Sequence, residues 1–202
     1  MRISSAFASA LLVGTLSAVS AHAALKTGEK APDFSLSDTR GKIHKLSDYI
    51  GKVVVLEWTN PECPYVKKHY ESGNMQKLQK DYTAKGVVWL SVNSSAKGKQ
   101  GHASPVEHDK VLKQKNAVPS ALLIDEKGST GRLYGAMTTP HMYVIDAKGT
   151  LVYNGAIDDK ATSAKEDIAS SKNLVAAAVD ETLAGKVVTI SNSKPYGCSV
   201  KY

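Results

Sequence analysis

Cysteine is almost absent from this 202-residue chain, which has only Cys63 and Cys198. Two cysteines cannot build the multi-bridge framework that small secreted scaffolds depend on, and a chain of this length can bury a core without one. No cysteine stands three residues after Cys63, where Val66 sits, so a Cys-x-x-Cys dithiol is excluded; so is covalent attachment of a c-type haem, which needs Cys-x-x-Cys-His. Arginine is scarce as well, with Arg2, Arg40 and Arg132 the only three. The formal net charge of +7 is therefore mostly lysine, spread along the chain. A nucleic-acid binder would cluster arginine with aromatics on one face, so no nucleic-acid partner is expected. Internal repeats and low-complexity segments are also missing, and the one apolar run near the start is short and broken by Ser and Thr, so no membrane span is expected.

That apolar run has a meaning of its own. Arg2, the stretch Ala10 to Gly14 and then Ala21, His22 and Ala23 form a cationic start, an apolar centre and an A-x-A cleavage site, the pattern of a secretory signal peptide over residues 1–23. Removing it leaves 179 residues, enough for one domain, with a periplasmic or secreted location. In an oxidising compartment Cys63 and Cys198 are either a structural bridge or a redox couple. The reading along the chain divides it into the signal (1–23), a domain (24–184) and a carboxyl-terminal tail (185–202) carrying Cys198.

Within the domain, Ala31 to Leu36 reads as a short edge strand, and Ile43 to Leu46 resumes an alternating pattern. Val53 to Trp58 is an apolar, β-branched run suited to a strand buried on both faces. A helix opening at Pro64 is interrupted at Ser72 to Asn74, restarts through Met75, Leu78 and Tyr82, and closes at Gly86. Val87 to Val92 is a second central strand, and Asn93 to Ser104 a polar, mobile rim. Pro105 to Asn116 predicts a helix with Val106, Val111 and Leu112 inward. A strand over Ala121 to Asp125, a brief helix before Tyr134, a hairpin of His141–Asp146 and Thr150–Gly155, and a helix over roughly Lys165–Leu183 complete it. Strand, helix, strand, helix, then hairpin and helix implies right-handed crossovers and a mixed sheet with helices on both faces.

Cys63 falls where the buried strand gives way to the helix. Pro64 suits the first helical turn, and the unpaired N–H groups there favour thiolate over thiol, with Lys67 and Lys68 adding positive charge. An inert buried cysteine is the alternative. Glu57 sits inside an apolar strand, a costly place for a charge, and desolvation raises its pKa toward the range useful for proton transfer; a strand-end ion pair with lysine is the other reading.

In this order, Ala-Pro-Asp-Phe34, Trp58-x4-Cys63-Pro64, Thr138-Thr139-Pro140 and Ile157-Asp158-Asp159 resemble the thioredoxin-like superfamily, specifically its redoxin group of peroxiredoxin-like and thioredoxin-like exported proteins. The resemblance implies a thioredoxin fold, with a mixed central sheet flanked by helices, an amino-terminal extension and an extended tail. It further implies that Cys63 is the nucleophile, that Pro140 is a cis-proline against the sulfur, that Thr139 presents its backbone to substrate, and that Glu57 is the buried acid exchanging protons with active-site thiols. Trp58, Asn60 and Pro64 join Thr139 and Pro140 as candidate substrate-binding residues. The ending Gly197-Cys198-Ser-Val-Lys-Tyr202 resembles a peroxiredoxin-like subgroup lacking the second cysteine of Cys-x-x-Cys. Peroxiredoxins carry P-x-x-x-T/S-x-x-C, and this chain has Leu56 and Asn60 at the first two places.

Three functions remain open at this point. One is thiol–disulfide exchange with a protein or small-molecule substrate and a redox partner protein, Cys198 arriving on a flexible tail to resolve a mixed disulfide and Glu57 shuttling the proton. A second is thiol peroxidase chemistry through a sulfenic acid on Cys63. The third is a non-catalytic binding domain with a permanent Cys63–Cys198 staple. No cofactor is expected, and no metal: His69, His102, His108 and His141 lack tight ligand spacing.

Overall fold

The computed structural model describes residues 25–202; the signal-peptide reading falls outside them. A seven-stranded sheet is built from β1 (Ser35–Asp38), β2 (Ile43–Lys45), β3 (Val54–Trp58), β4 (Val88–Asn93), β5 (Ala121–Ile124), β7 (His141–Ile145) and β8 (Leu151–Gly155). Its order is β2-β1-β5-β4-β3-β7-β8. β3, β4 and β5 are parallel neighbours, whereas β7 runs antiparallel to β3 and β8 antiparallel to β7. This is the mixed sheet that the strand order implied.

All five residues of β3 are buried, because both faces of the central strand are covered. Val53 and Val55 pack with Trp89 of β4 and with Val66, Met75, Tyr82 and Val175 from helices α1 (Pro64–Glu71), α2 (Asn74–Ala84) and α5 (Leu174–Leu183). Val54, Leu56 and Trp58 face the opposite way, toward Phe34, Leu90, Tyr134 and Tyr143, with Tyr134 coming from α4 (Ser129–Tyr134). The break between α1 and α2 falls at Gly73, whose φ of 76° is open to glycine without strain.

Several expectations are corrected. The helix predicted over Lys165–Leu183 is divided: a 3-10 turn spans Lys165–Ser170, and α5 starts afresh where the Asn173 side chain accepts the N–H of Ala176 at 2.8 Å. In α3 (Pro105–Gln114), Val106 is 78% exposed, because Ser104 and Glu107 form a capping box that turns the first helical turn to solvent. His108 is buried on the inner face in its place. The Asn93–Ser104 rim is fastened at Gly101, whose carbonyl accepts from Asn93 (3.2 Å) and whose N–H donates to Glu62 (3.2 Å).

The tail departs most from expectation. Instead of hanging free, it runs along β8, where Asn154 and Ser193 exchange backbone bonds with Ser191 and Asn154. It then forms β9 (Cys198–Ser199), antiparallel to β6 (Thr138–Thr139). No described helix is long and apolar enough to cross a membrane.

Candidate active site

Cys63 is the N-cap of α1, with Pro64 in the first turn, as the strand–Cys–Pro–helix order implied. Asn60 builds the turn that presents it: its carbonyl accepts the Cys63 N–H (3.1 Å), its side-chain oxygen accepts from Glu62 N–H (2.9 Å), and its amide donates to Gln100 (3.2 Å). Asn60 is buried and its polar atoms are engaged, so it shapes the loop and offers substrate nothing. Trp58 is corrected in the same way. It lies on the other face of the sheet with no exposed surface, its indole N–H donating to Ser94 at 3.0 Å and its ring packed on Tyr134 and Tyr143. Pro64 alone of these three is exposed.

The Thr139–Pro140 bond is cis. That geometry aims the Thr139 carbonyl at Cys63, whose thiol donates to it at 3.0 Å. Thr139 also pairs with Cys198 across the β6–β9 ladder, which brings the two cysteines to one point; both are free thiols. Gly197 makes this approach possible. At its φ of 135° a Cβ would lie 2.1 Å from the Thr139 oxygen, so no other residue fits there without moving the tail.

The sulfurs differ in acidity. Burial pushes the Cys63 thiol up, but the adjoining Cys198 thiol and the N–H groups of Val66 and Cys198 outweigh it, leaving Cys63 below the usual thiol range. Val66 contributes here as a third-position helix N–H, the dipole effect that the helix start implied. Cys198 is pushed up to about 11, first by burial and then by the neighbouring Cys63.

Glu57 is fully buried, and burial raises its pKa despite four donors: Tyr70 (2.8 Å), Trp89 (2.9 Å), Ser91 (2.9 Å) and Gln79 (3.3 Å). Its hydrogen bonds reach neither sulfur, and among the described residues no lysine pairs with it. Tyr70, on the same helix that Cys63 caps, is the link between the acid and the site.

A second buried cluster was not read from the sequence. Lys68, 1% exposed, turns inward from α1 to Asp158 (3.4 Å) and the Lys160 carbonyl (2.8 Å), so its charge is spent on the core instead of lying beside the sulfur. Tyr196, two residues before Cys198, donates to the other Asp158 oxygen, and its ring sits 5.4 Å under the Lys68 ammonium. His69 completes the group. Its Nδ1 accepts from Asn74 (2.8 Å), which leaves the proton on Nε2, facing the Tyr196 hydroxyl at 3.3 Å. Burial holds His69 down at about 4, neutral at ordinary pH. The sequence signals were slight: a charged pair just after Pro64, and the Ile157-Asp158-Asp159 run, which marked a family but no role.

The remaining histidines form no ligand cluster among the described residues. His141 is buried against Asn154 (2.8 Å) and His102 faces Glu126 (3.6 Å); no group of three potential metal ligands occurs among the described residues.

Residues 27–154 match the AhpC/TSA family. The chain belongs to this family. Its thioredoxin-like character is borne out by the thioredoxin-like protein YneN of Bacillus subtilis, 32% identical over 71% of this chain and 81% of YneN. The thiol-disulfide oxidoreductase ResA of Geobacillus thermodenitrificans is 29% identical over 72% of this chain and 75% of ResA. Among solved structures, an uncharacterised conserved protein of Geobacillus kaustophilus superposes with a TM-score of 0.73 at 29% identity, covering 88% of this chain and 93% of its own. A thiol:disulfide interchange protein DsbE of Chlorobium tepidum does so with 0.54 at 34% identity, covering 65% and 85%. The AhpC/TSA chain described here thus has a thioredoxin-type fold, with Val66 where a Cys-x-x-Cys member has its second cysteine.

Proposed function

We propose that this chain is an exported thiol–disulfide oxidoreductase in which Cys63 is the nucleophile and Cys198 resolves within the same chain. The observation that carries the reading is the β6–β9 pairing, which sets Cys198 opposite Thr139, whose carbonyl accepts the Cys63 thiol at 3.0 Å. The names of the ResA and DsbE relatives support the exchange chemistry, and the Arg2, Ala10–Gly14, Ala21-His-Ala23 pattern supports export.

In the cycle, the Cys63 thiolate attacks a substrate disulfide, forming a mixed disulfide and releasing one substrate thiolate. Cys198 then attacks the Cys63 sulfur as its proton passes to the departing substrate sulfur, forming Cys63–Cys198 and releasing the second substrate thiol. Two electrons pass to the substrate. A donor thiol attacks Cys198 and expels the Cys63 thiolate, the less basic sulfur and better leaving group; a second donor thiol then attacks that mixed disulfide, freeing Cys198 and leaving the donor as a disulfide. The donor is a redox partner protein or a small thiol, and no cofactor takes part. Glu57 positions the helix that Cys63 caps, through the hydrogen bond it accepts from Tyr70, and no hydrogen bond joins it to either sulfur. Thr139 and Pro140 bound the attacking line, and exposed Pro64 offers the outer contact. A peroxidase reading gains nothing from Asn60, whose side chain is committed to its loop.

The test is trapping. Reduced Cys198→Ser protein treated with glutathione disulfide is expected to accumulate one glutathione on Cys63, while Cys63→Ser gains little on Cys198. Absence of the Cys63 adduct, or equal labelling of the two variants, overturns the assignment.

A further inference from the structure

An edge that accepts an extended strand is satisfied by any backbone in register, and main-chain hydrogen bonds supply most of the affinity in such recognition. In this protein the edge beside Pro140 is already filled by its own tail. Thr139 pairs with Cys198 and Thr138 with Ser199, the Val200 N–H donates to the Met137 carbonyl (3.0 Å), and Gly197 presses against the Thr139 carbonyl. Cys63 beneath has no exposed surface.

Both ends of this strand are fastened. Upstream, the Tyr196 hydroxyl is held by Asp158, Lys68 and His69, and its ring meets Tyr65 edge-on at 5.8 Å. Downstream, Tyr202 donates to the Ala136 carbonyl (2.7 Å), lies under the Arg132 guanidinium (4.3 Å), and fills the space a side chain at Gly131 would need. A local shift around Gly197 suffices to uncover Cys63 for a compact reactant. An extended polypeptide needs the whole ladder unpaired and Tyr196 withdrawn from a buried charged site.

We propose that residues 196–202 are a built-in occupant of the substrate-strand position, held by Tyr196 in the Lys68–Asp158 site, and that they confine the oxidants of Cys63 to low-molecular-mass disulfides by excluding extended polypeptide chains. This rests on the redox reading above. Tyr196, Lys68, His69 and Asp158 are positioning residues: they touch the tail, and the tail touches the sulfur.

The experiment compares two oxidants of the reduced protein. One is glutathione disulfide; the other is the disulfide-linked dimer of an unstructured peptide with a single internal cysteine, so that whichever sulfur is attacked belongs to an extended chain. The rate of appearance of Cys63–Cys198-bridged protein is measured for each. Wild-type protein is expected to react with glutathione disulfide about tenfold faster or more, the order set by one buried charge-assisted hydrogen bond. Tyr196→Phe, which keeps the ring and removes the hydroxyl, is expected to close most of that gap by raising the peptide rate. Equal wild-type rates, or a Tyr196→Phe change of the same factor for both oxidants, overturn the proposal, since a merely structural role moves the two rates together. Should Tyr196→Phe fail to fold, Tyr202→Phe asks the same question by releasing the far end of the strand from the Ala136 carbonyl. If neither oxidant yields bridged protein, the redox reading itself fails and this proposal falls with it.

Discussion

Two buried polar clusters flank the reactive cysteine, and they are built on opposite principles. Glu57 is surrounded by neutral donors with no counter-charge, so burial is offset only in part and its pKa rises. Asp158 faces Lys68, Tyr196 and the neutral His69, so charge meets charge. The first cluster is internal to the sheet and its covering helices. The second ties the helix that Cys63 caps to the tail that carries Cys198. The difference shows how one fold can keep an acid available for protonation on one side and use another as a fixed anchor on the other.

The comparison is broken most severely by removing Lys68. Lys68→Ala leaves Asp158 buried without its cation and is expected to cost about 3–5 kcal/mol in urea unfolding. A loss below about 1 kcal/mol would mean that solvent reaches the pair.

Acid is the next probe, because the clusters respond to pH with opposite signs. His69 has its folded pKa lowered to about 4 from the ordinary 6.5, so its contribution to stability is complete above about 6.5 and is lost as pH falls through about 4. The loss is about 3 kcal/mol, and buried His141, also held at about 4, adds a loss of the same sign. His69→Asn is expected to flatten about half of this acid slope. Glu57 has a raised folded pKa, so its contribution is complete below the ordinary 4.5 and is lost as pH rises through the folded value. Glu57→Gln should abolish that decline and shift the pH profile of exchange, at a cost of about 1 kcal/mol for turning one amide donor toward Trp89 or Ser91. Unfolding curves taken across this pH range separate the two variants.

The smallest effect is expected at the far tail anchor. Arg132→Gln removes the cation above Tyr202 at an exposed site and should cost about 0.5–1 kcal/mol, measured by thermal unfolding.

Much of the scaffold was legible in the sequence, for reasons the structure makes plain. The Val53–Trp58 run suited a doubly covered strand and Pro64 marked a helix start, while the cis bond at Thr139-Pro140 was expected from the family resemblance alone. What the sequence hid depends on docking angles. Lys67 and Lys68 are neighbours of the same type, yet one is exposed and the other buried, because only the packing of α1 decides which side faces Asp158. Glu57 and Trp58 alternate across the strand, so they face opposite layers, and Trp58 lost its expected substrate role to a packed core. The tail looked flexible because its anchors, Tyr196 and Tyr202, lie in partners more than thirty residues away in the chain.

The central claim is that Cys63 and Cys198 cycle within one chain, and it is tested most directly by mapping disulfides in oxidised, unreduced protein while poising the pair against glutathione buffers. The account predicts a peptide joining Cys63 to Cys198 with a reduction potential above about −300 mV, in the range of exchangeable bonds. Two free thiols after oxidation, bridges only between chains, or a bond that no glutathione buffer can reduce would contradict it.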